Sequence, residues 1–251
     1  ASFYRVLARP SRRRRETALR PRRRARAVGP VRGRGRHAGR RSTSLALPVA
    51  AAAPVRISVE NRPVYAIAAT PSSQHRREGV SFVFECVHGM KKDRYGGTGA
   101  ILADDMGLGK TLQSITLMYS LLKNKDASGK PLAKRCIVVC PCSLVKNWED
   151  EFEKWINSKA HDKSERVECM ALSDTSRKTV EGMIDQFLSP ACYYDVLVIS
   201  YETFRAQHQR FARKKDSADI IVCDEAHRLK NDEAQTSQAL ASLACRKRVL
   251  L

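Results

Sequence analysis

Short runs of apolar residues recur downstream of residue 72, and they predict a series of buried β-strands. The runs cover residues 99–103, 136–140, 167–172, 195–199 and 219–223, and another begins at residue 248. They lack the alternation of apolar and polar residues that marks a strand with one solvated face. Such runs are typical of strands in a parallel sheet that is covered on both faces.

Helices are predicted between these strands, where apolar residues recur every three or four positions. After the first strand, the stripe consists of Leu112, Ile115, Tyr119 and Leu122. After the second strand, it consists of Leu144, Trp148, Phe152 and Trp155. We expect Ser143 to cap this second helix and both tryptophans to lie in the core. Strands that alternate with helices predict an α/β domain whose parallel sheet is sandwiched by helices.

Differences in composition predict three segments along the chain. Residues 1–41 contain 16 Arg, no Lys and one acidic residue, so they carry +15 of the formal net charge of +20. Such a segment cannot bury enough apolar surface to fold, and we expect a disordered tail. Residues 42–71, rich in Ala, Pro and Val, are predicted to be a linker, and residues 72–251 are predicted to be the folded domain.

The role of the Arg-rich tail stays open between several interpretations. Its arginines suit phosphate binding by counterion release, and they also suit a nuclear address. A transit peptide fits less well, because serine is sparse in residues 1–41. A GC-rich coding sequence would produce the same composition without any function. The functional hypothesis below therefore does not depend on the tail.

The cysteine pattern and the hydropathy of the chain exclude some classes of protein. None of the eight cysteines forms a C-x-x-C pair, and no second pair stands at zinc distance from Cys140 and Cys142. Several lie within apolar runs, where a thiol behaves as a small hydrophobic side chain. We therefore expect a reduced intracellular protein without a structural metal. No run of about 18 apolar residues predicts a membrane span.

A glycine-rich segment, residues 104–111 (DDMGLGKT), lies where the first strand ends and a helix begins. Its glycines allow backbone N–H groups to surround phosphate oxygens, at a helix N-terminus that favours negative charge. Lys110 is predicted to contact the β- and γ-phosphates and to assist catalysis, and Thr111 to bind Mg²⁺. The predicted nucleotide-binding residues are Asp105, Met106, Gly107, Leu108, Gly109, Lys110 and Thr111. A strict phosphate loop has glycine at position 104, so a plain strand–helix turn with a solvated lysine is the alternative.

A second candidate motif, residues 224–227 (DEAH), follows the run at 219–223. A strand that ends in Asp-Glu presents two carboxylates at the carboxyl edge of a parallel sheet, beside the phosphate loop. Asp224 is predicted to bind Mg²⁺, and Glu225 to orient and deprotonate the attacking water. His227 is predicted to couple this site to neighbouring motifs. A helix-capping pair is the alternative, but the phosphate loop 114 residues upstream favours nucleotide hydrolysis.

With these motifs in this order, the chain from about residue 74 to residue 251 resembles the Swi2/Snf2 family of helicase-superfamily-2 ATPases. The segments similar to the family's motifs I, Ia, the next DNA-side motif and motif II are residues 99–113, 138–155, 199–204 and 224–231. The tracts SLVKNW and SYETFR are most similar to the recombination-repair translocase branch.

The resemblance implies a RecA-like lobe that uses ATP and Mg²⁺ to translocate along double-stranded DNA without full strand separation. It implies a DNA-facing side formed by Ser143, Lys146, Ser200 and Tyr201. It also implies a nuclear protein whose partners, besides DNA, are recombinase filaments or nucleosomes. No membrane is expected among its partners. There are two alternatives: an RNA helicase of the same superfamily, and a non-enzymatic ATP- or DNA-binding fragment. The tract RLKN, which follows the acidic motif, argues against the RNA helicase.

The chain departs from the family pattern at two places. Arg76 stands where the family has an adenine-reading glutamine. Because a guanidinium group only donates hydrogen bonds, selectivity for adenine is in question. The family pattern also continues past the position of Leu251 with a second lobe that carries an arginine finger. We therefore expect the 251-residue chain by itself to hydrolyse little ATP.

Overall fold

The computed structural model of the protein describes residues 73–91, 97–105, 107–173, 176–230 and 235–251. The predicted tail at 1–41 and the predicted linker at 42–71 lie outside these ranges, and the domain boundary at residue 72 stays a prediction. Within the described ranges, no helix is both long enough and apolar enough to cross a membrane.

A parallel sheet of six strands forms the centre of the described part of the chain. The strands are β1 (Gly99–Ile101), β2 (Cys136–Cys140), β3 (Cys169–Ala171), β4 (Val196–Ser200), β5 (Ile220–Cys223) and β6 (Lys247–Leu250). Their order is β1-β6-β5-β2-β4-β3, and every neighbouring pair is parallel. Strands β2, β4 and β5 are buried along their whole length, which explains their continuous apolar sequences. The predicted α/β fold is confirmed.

The apolar runs predicted the strands with small errors in their bounds. The run at 167–172 contains only the three residues of β3, and the run at 195–199 corresponds to a strand that begins and ends one residue later. Val167 and Leu172 are buried although they lie outside β3. Burial thus extends beyond the residues that pair in the ladder. An apolar run marks the buried residues, so it can be longer than the strand that it contains.

Six α-helices are described around the sheet. They are α1 (Ser73–His88), α2 (Lys110–Lys123), α3 (Val145–Trp155), α4 (Arg177–Leu188), α5 (Tyr201–Ala212) and α6 (Gln235–Ala241). Helix α2 is buried from Leu112 to Leu121, because it packs against both α1 and α3. Its hydroxyl groups on Thr116 and Ser120 each donate to the backbone carbonyl four residues earlier at 2.8 Å, which satisfies them inside the core.

Helix α3 differs from its prediction at both ends. Ser143 is exposed within a 3₁₀ turn, Cys142–Leu144, and the helix begins at Val145 without a side-chain cap. The predicted cap is therefore wrong. Trp148 is fully buried as predicted. Trp155 is only half-buried, and the ammonium groups of Lys154 and Lys159 lie 4.8 and 4.6 Å from its ring centroid. The assignment of Trp155 to the core is therefore wrong in part.

All eight cysteines are free thiols. Burial raises the pKa of Cys140 and of Cys223 to about 12. Both thiols therefore stay protonated at neutral pH and pack as small apolar side chains in the central strands.

Two helical glycines provide a test of the packing between α1 and α2. A Cβ atom at Gly79 in α1 would collide with Oε1 of the buried Gln113 in α2, whereas a Cβ atom at Gly182 in α4 would meet nothing within 4 Å. We expect Gly79→Ala to lower the free energy of unfolding by about 1–3 kcal/mol through overpacking. Gly182→Ala should raise it by about 0.5–1 kcal/mol. Urea denaturation measures both, and a stabilising Gly79→Ala would contradict the close approach of the two helices.

Candidate functional site

The loops that follow β1, β2, β4 and β5 leave the same edge of the sheet, because all six strands run in one direction. Backbone pairing continues past the strand ends. Leu102 N donates to Leu250 O at 2.8 Å, and Asp224 N donates to Val139 O at 2.9 Å. These bonds fix the glycine-rich loop and the acidic turn at one edge, with β6 between the strands that carry them.

The glycine-rich loop turns through two left-handed residues. Gly107 and Gly109 have φ angles of 86° and 84°, which a residue with a Cβ atom rarely adopts. At Gly109 the approach is also close, since Cδ of Arg76 lies 3.2 Å from the position of a Cβ atom. Leu108 between them is exposed, and α2 begins at Lys110. The free N–H groups of the first helical turn therefore lie at the loop.

Lys110 holds its ammonium group over this loop. Its Nζ donates to Asp104 O at 2.6 Å and to Asp105 O at 3.3 Å. Thr111 follows in the first turn of α2 and is half-buried. Met106 lies outside the described residues. The lysine and the threonine are thus close together at the N-terminus of a helix, as the predicted phosphate site requires.

Asp224, the residue after β5, accepts three hydrogen bonds. Its Oδ2 accepts from Nε1 of Trp148 at 2.9 Å, and its Oδ1 accepts from the backbone N–H of Glu225 at 2.9 Å. Its carbonyl accepts from the Tyr201 hydroxyl at 2.7 Å. Burial raises the pKa of the Asp224 carboxyl group, and the charge of Glu225 raises it too. The bonds from the Trp148 indole and the Glu225 backbone N–H lower it, as does the charge of Lys110. The net shift is upward, because burial outweighs the groups that lower the pKa.

Glu225 has a strained backbone. With φ 51° and ψ 46°, it is the single non-glycine residue of positive φ among the described residues. The left-handed conformation costs about 1–2 kcal/mol for such a residue. It is held by bonds from Ala226 N to Leu251 O at 2.9 Å and from Arg228 N to Glu225 O at 3.1 Å. Strain of this kind concentrates at functional sites. The carboxylate is accessible and lies 3.2 Å from Nδ1 of the exposed His227.

The oxygen donors at this edge fit a magnesium nucleotide. The Thr111 hydroxyl and the Asp224 carboxylate are oxygen ligands of the kind that Mg²⁺ prefers, and Lys110 adds a positive charge for phosphate. No group of three or more His, Cys, Asp or Glu among the described residues could hold a metal ion. Protein-bound Mg²⁺ commonly takes its remaining ligands from phosphates and water, so two protein ligands suffice.

Two of the predicted DNA contacts are accessible. Ser143 and Lys146 are both exposed on the segment that follows β2. The ammonium group of Lys146 pairs with Glu149 at 2.7 Å and Asp150 at 3.3 Å. Its role at DNA stays a prediction, and a phosphate would have to compete with these two carboxylates.

The other two predicted DNA contacts are buried. Ser200 is 3% exposed, and its Oγ accepts from Thr203 N at 3.0 Å as the cap of α5. Tyr201 is also 3% exposed and donates its hydroxyl group to Asp224 O. Both side chains are therefore shielded within the lobe, and their place on the DNA-facing side stays a prediction. Both serve the turn between β4 and α5 and the acidic turn beside it.

Several contacts at the site were missed by the sequence analysis. The bonds of Trp148 and Tyr201 to Asp224 join segments that are far apart in the chain. The one available signal was the polar atom of each aromatic side chain, which needs a partner when buried. At the glycine-rich loop, His75 Nε2 lies 3.1 Å from Oδ2 of Asp104. The first turn of α1 therefore lies beside the glycine-rich loop. This turn is the segment that the family resemblance predicts to read the base.

The fold and the site define a class of protein. A covered parallel sheet that carries a lysine-bearing glycine loop after one strand and an Asp-Glu pair after another is the architecture of a RecA-like P-loop nucleoside triphosphatase lobe. Residues 75–251 match the family described as the SNF2-related domain. The chain therefore belongs to the Swi2/Snf2 family.

Relatives at high identity cover the same part of the chain. It is 52% identical over 178 residues to the rice protein "DNA repair and recombination protein RAD54" (Oryza sativa subsp. japonica) and 50% identical over 177 residues to "Protein CHROMATIN REMODELING 25" of Arabidopsis thaliana. A Drosophila grimshawi protein, "DNA repair and recombination protein RAD54-like", is 44% identical over 180 residues. Each match covers 70% of this chain but only 17%, 18% and 21% of the relative. The chain thus spans about a fifth of the length of these curated relatives.

A solved structure supports the same fold. The chain is similar to the Sulfolobus solfataricus SWI2/SNF2 ATPase core in complex with double-stranded DNA, with a TM-score of 0.50 and 26% identity. The match covers 71% of this chain and 31% of the archaeal one.

The strain at Glu225 can be measured with paired substitutions. Glycine adopts the left-handed region without penalty, so Glu225→Gly should be more stable to urea than Glu225→Ala by about 1 kcal/mol. Asp150, exposed in the middle of α3, is the matched control. There the Gly variant should be less stable than the Ala variant by about 0.5–1 kcal/mol. An Ala variant at 225 that equals or exceeds the Gly variant would show that the backbone is not left-handed.

Proposed function

We propose that this chain is the ATP-binding lobe of a Swi2/Snf2-type motor that translocates along double-stranded DNA in recombinational repair. The observation that carries the proposal is that the loop with Lys110 and the strained Asp224–Glu225 turn leave the same edge of the parallel sheet. The archaeal relative in complex with double-stranded DNA supports the substrate. The names of the rice and fly relatives support recombinational repair as the process.

Four side chains perform the nucleotide chemistry in this proposal. Lys110 exchanges its loop carbonyl partners for phosphate oxygens, because a charge-assisted bond to phosphate is the stronger of the two. Thr111 and Asp224 would hold Mg²⁺, which neutralises negative charge on the phosphates when it is bound. Glu225 orients the attacking water and accepts its proton. His227, beside Glu225, couples this step to neighbouring motifs.

The partners and the location belong to the same proposal. Double-stranded DNA lies against the segment with Ser143 and Lys146, and the motor acts in the nucleus on recombinase filaments. The name of the Arabidopsis relative supports nucleosomes as the alternative partner. ATPase rates measured on free DNA, recombinase-coated DNA and nucleosomes, with the lobe in its complete protein, distinguish the two substrates.

Nucleotide binding is the first test of this function. Lys110→Ala should weaken Mg²⁺–ATP binding by about ten- to a hundredfold, because a charge-assisted phosphate contact is lost. Glu225→Gln should leave binding intact and abolish turnover in the complete motor. Lys130→Ala is the matched control, since Lys130 lies between the end of α2 and β2, at the opposite edge of the sheet. Titration calorimetry gives the isotherms, and an unchanged isotherm for Lys110→Ala would refute the assignment of this loop.

DNA binding is tested through its salt dependence. Each phosphate contact contributes about 0.9 to the slope of log affinity against log salt concentration. Lys146→Ala should therefore flatten the slope by about 1, and the Lys130→Ala control should not. Removal of residues 1–41 should flatten the slope further if the tail contacts phosphates. Equal slopes for the wild-type chain and Lys146→Ala would remove Lys146 from the DNA-facing side.

A further inference from the structure

Two aromatic side chains from separate helices hold Asp224 from different directions. Trp148 in α3 donates from its indole to the carboxylate at 2.9 Å, and Tyr201 at the start of α5 donates from its hydroxyl group to the backbone carbonyl at 2.7 Å. Trp148 is fully buried and Tyr201 is 3% exposed. Both bonds are part-buried, and their donors have little access to water as an alternative partner.

Both donors are themselves held in place. The Trp148 ring packs on Phe152, with ring centroids 6.4 Å apart. The guanidinium group of Arg228 lies 5.3 Å from the centroid of the Tyr201 ring and pairs with Glu202 at 2.8 Å. Neither aromatic side chain can follow a displaced Asp224 without loss of this packing. The two bonds therefore define one position for the residue.

The two bonds act on different parts of the acidic turn. Oδ2 of Asp224 accepts from Trp148 and Oδ1 accepts from Glu225 N, so each oxygen keeps a second lone pair and the carboxylate plane is fixed. The Tyr201 bond instead fixes the peptide group between Asp224 and Glu225. This peptide leads directly into the left-handed conformation of Glu225.

We propose that Trp148 and Tyr201 are positioning residues of the nucleotide site, which hold the Asp224 carboxylate for Mg²⁺ and the peptide that aims Glu225. This inference rests on the proposed function. Both residues lie near the starts of helices that follow β2 and β4, and the segment proposed to face DNA, with Ser143 and Lys146, leads into the helix of Trp148. A shift of either helix start is transmitted to the metal-binding residue through a single hydrogen bond.

The test measures the Mg²⁺ dependence of ATP binding to the 251-residue chain. Trp148→Phe removes the indole donor and keeps an aromatic ring, and Tyr201→Phe removes one oxygen. Loss of a residue that orients a metal ligand typically weakens metal binding ten- to a hundredfold. We expect Trp148→Phe to raise the Mg²⁺ concentration for half-maximal effect about tenfold, and Tyr201→Phe about threefold, since it loses one neutral hydrogen bond. ATP affinity without Mg²⁺ should not change.

Two controls are matched by residue type. Trp155→Phe removes an indole from the same helix, where Trp155 is half-buried and bonded to Glu151. Tyr194→Phe removes a phenol that bonds to Tyr193. Tyr194 precedes β4 and so lies at the other edge of the sheet. Both controls should keep the wild-type Mg²⁺ requirement.

A double-mutant cycle separates positioning from packing. In the Asp224→Ala background, Trp148→Phe should cause no further change in the Mg²⁺ requirement. A change that persists there, or an equal loss of ATP affinity with and without Mg²⁺, would overturn the inference and leave Trp148 as a core residue. If thermal unfolding shows that Trp148→Phe does not fold, Tyr201→Phe decides the question alone. A wild-type chain that binds no Mg²⁺–ATP would refute the proposed function, and the inference with it.

Discussion

The position of Asp224 depends on the parallel pairing of β5 with β2. Cys223 pairs with Val139 in this ladder, and the bond from Asp224 N to Val139 O continues it by one residue. On the other side of β2, Cys140 pairs with Ser200. The segments after β2 and β4 therefore begin level with the acidic turn and can reach it. A slip of one residue would turn the carboxylate to the other face of the sheet and separate it from both aromatic donors.

The strain at Glu225 is tolerable because neighbouring bonds over-determine the turn. A left-handed glutamate costs about 1–2 kcal/mol, and a typical intramolecular hydrogen bond contributes about 1 kcal/mol. Three of the bonds around the turn are Glu225 N to the Asp224 carboxylate, Ala226 N to Leu251 O, and the Tyr201 hydroxyl to Asp224 O. Their sum exceeds the strain. The carboxylate of Glu225 is thus held accessible while that of Asp224 turns inward.

The sequence predicted the sheet and the two motifs well, because each depends on local patterns. Continuous apolar runs follow from burial on both faces, and Gly107 and Gly109 are needed wherever the loop turns left-handed. The sequence did not predict that Tyr201 is buried. Its burial follows from the register of β4 on β2, which brings its hydroxyl group to a carbonyl 23 residues away. No spacing within the motif reports that pairing. Ser143 failed as a cap because the chain enters α3 through a 3₁₀ turn.

Asp104, which replaces the first glycine of a strict phosphate loop, has a physical explanation in its contacts. Its φ angle is not positive, since Glu225 is the single described non-glycine residue in that region, so the backbone at 104 does not need glycine. Its carbonyl accepts from Lys110 at 2.6 Å. Its carboxylate lies 3.1 Å from His75 Nε2 and accepts from Gln113 Nε2 at 3.4 Å. An aspartate here therefore ties α1 and α2 to one loop residue through its side chain, a connection that glycine could not make.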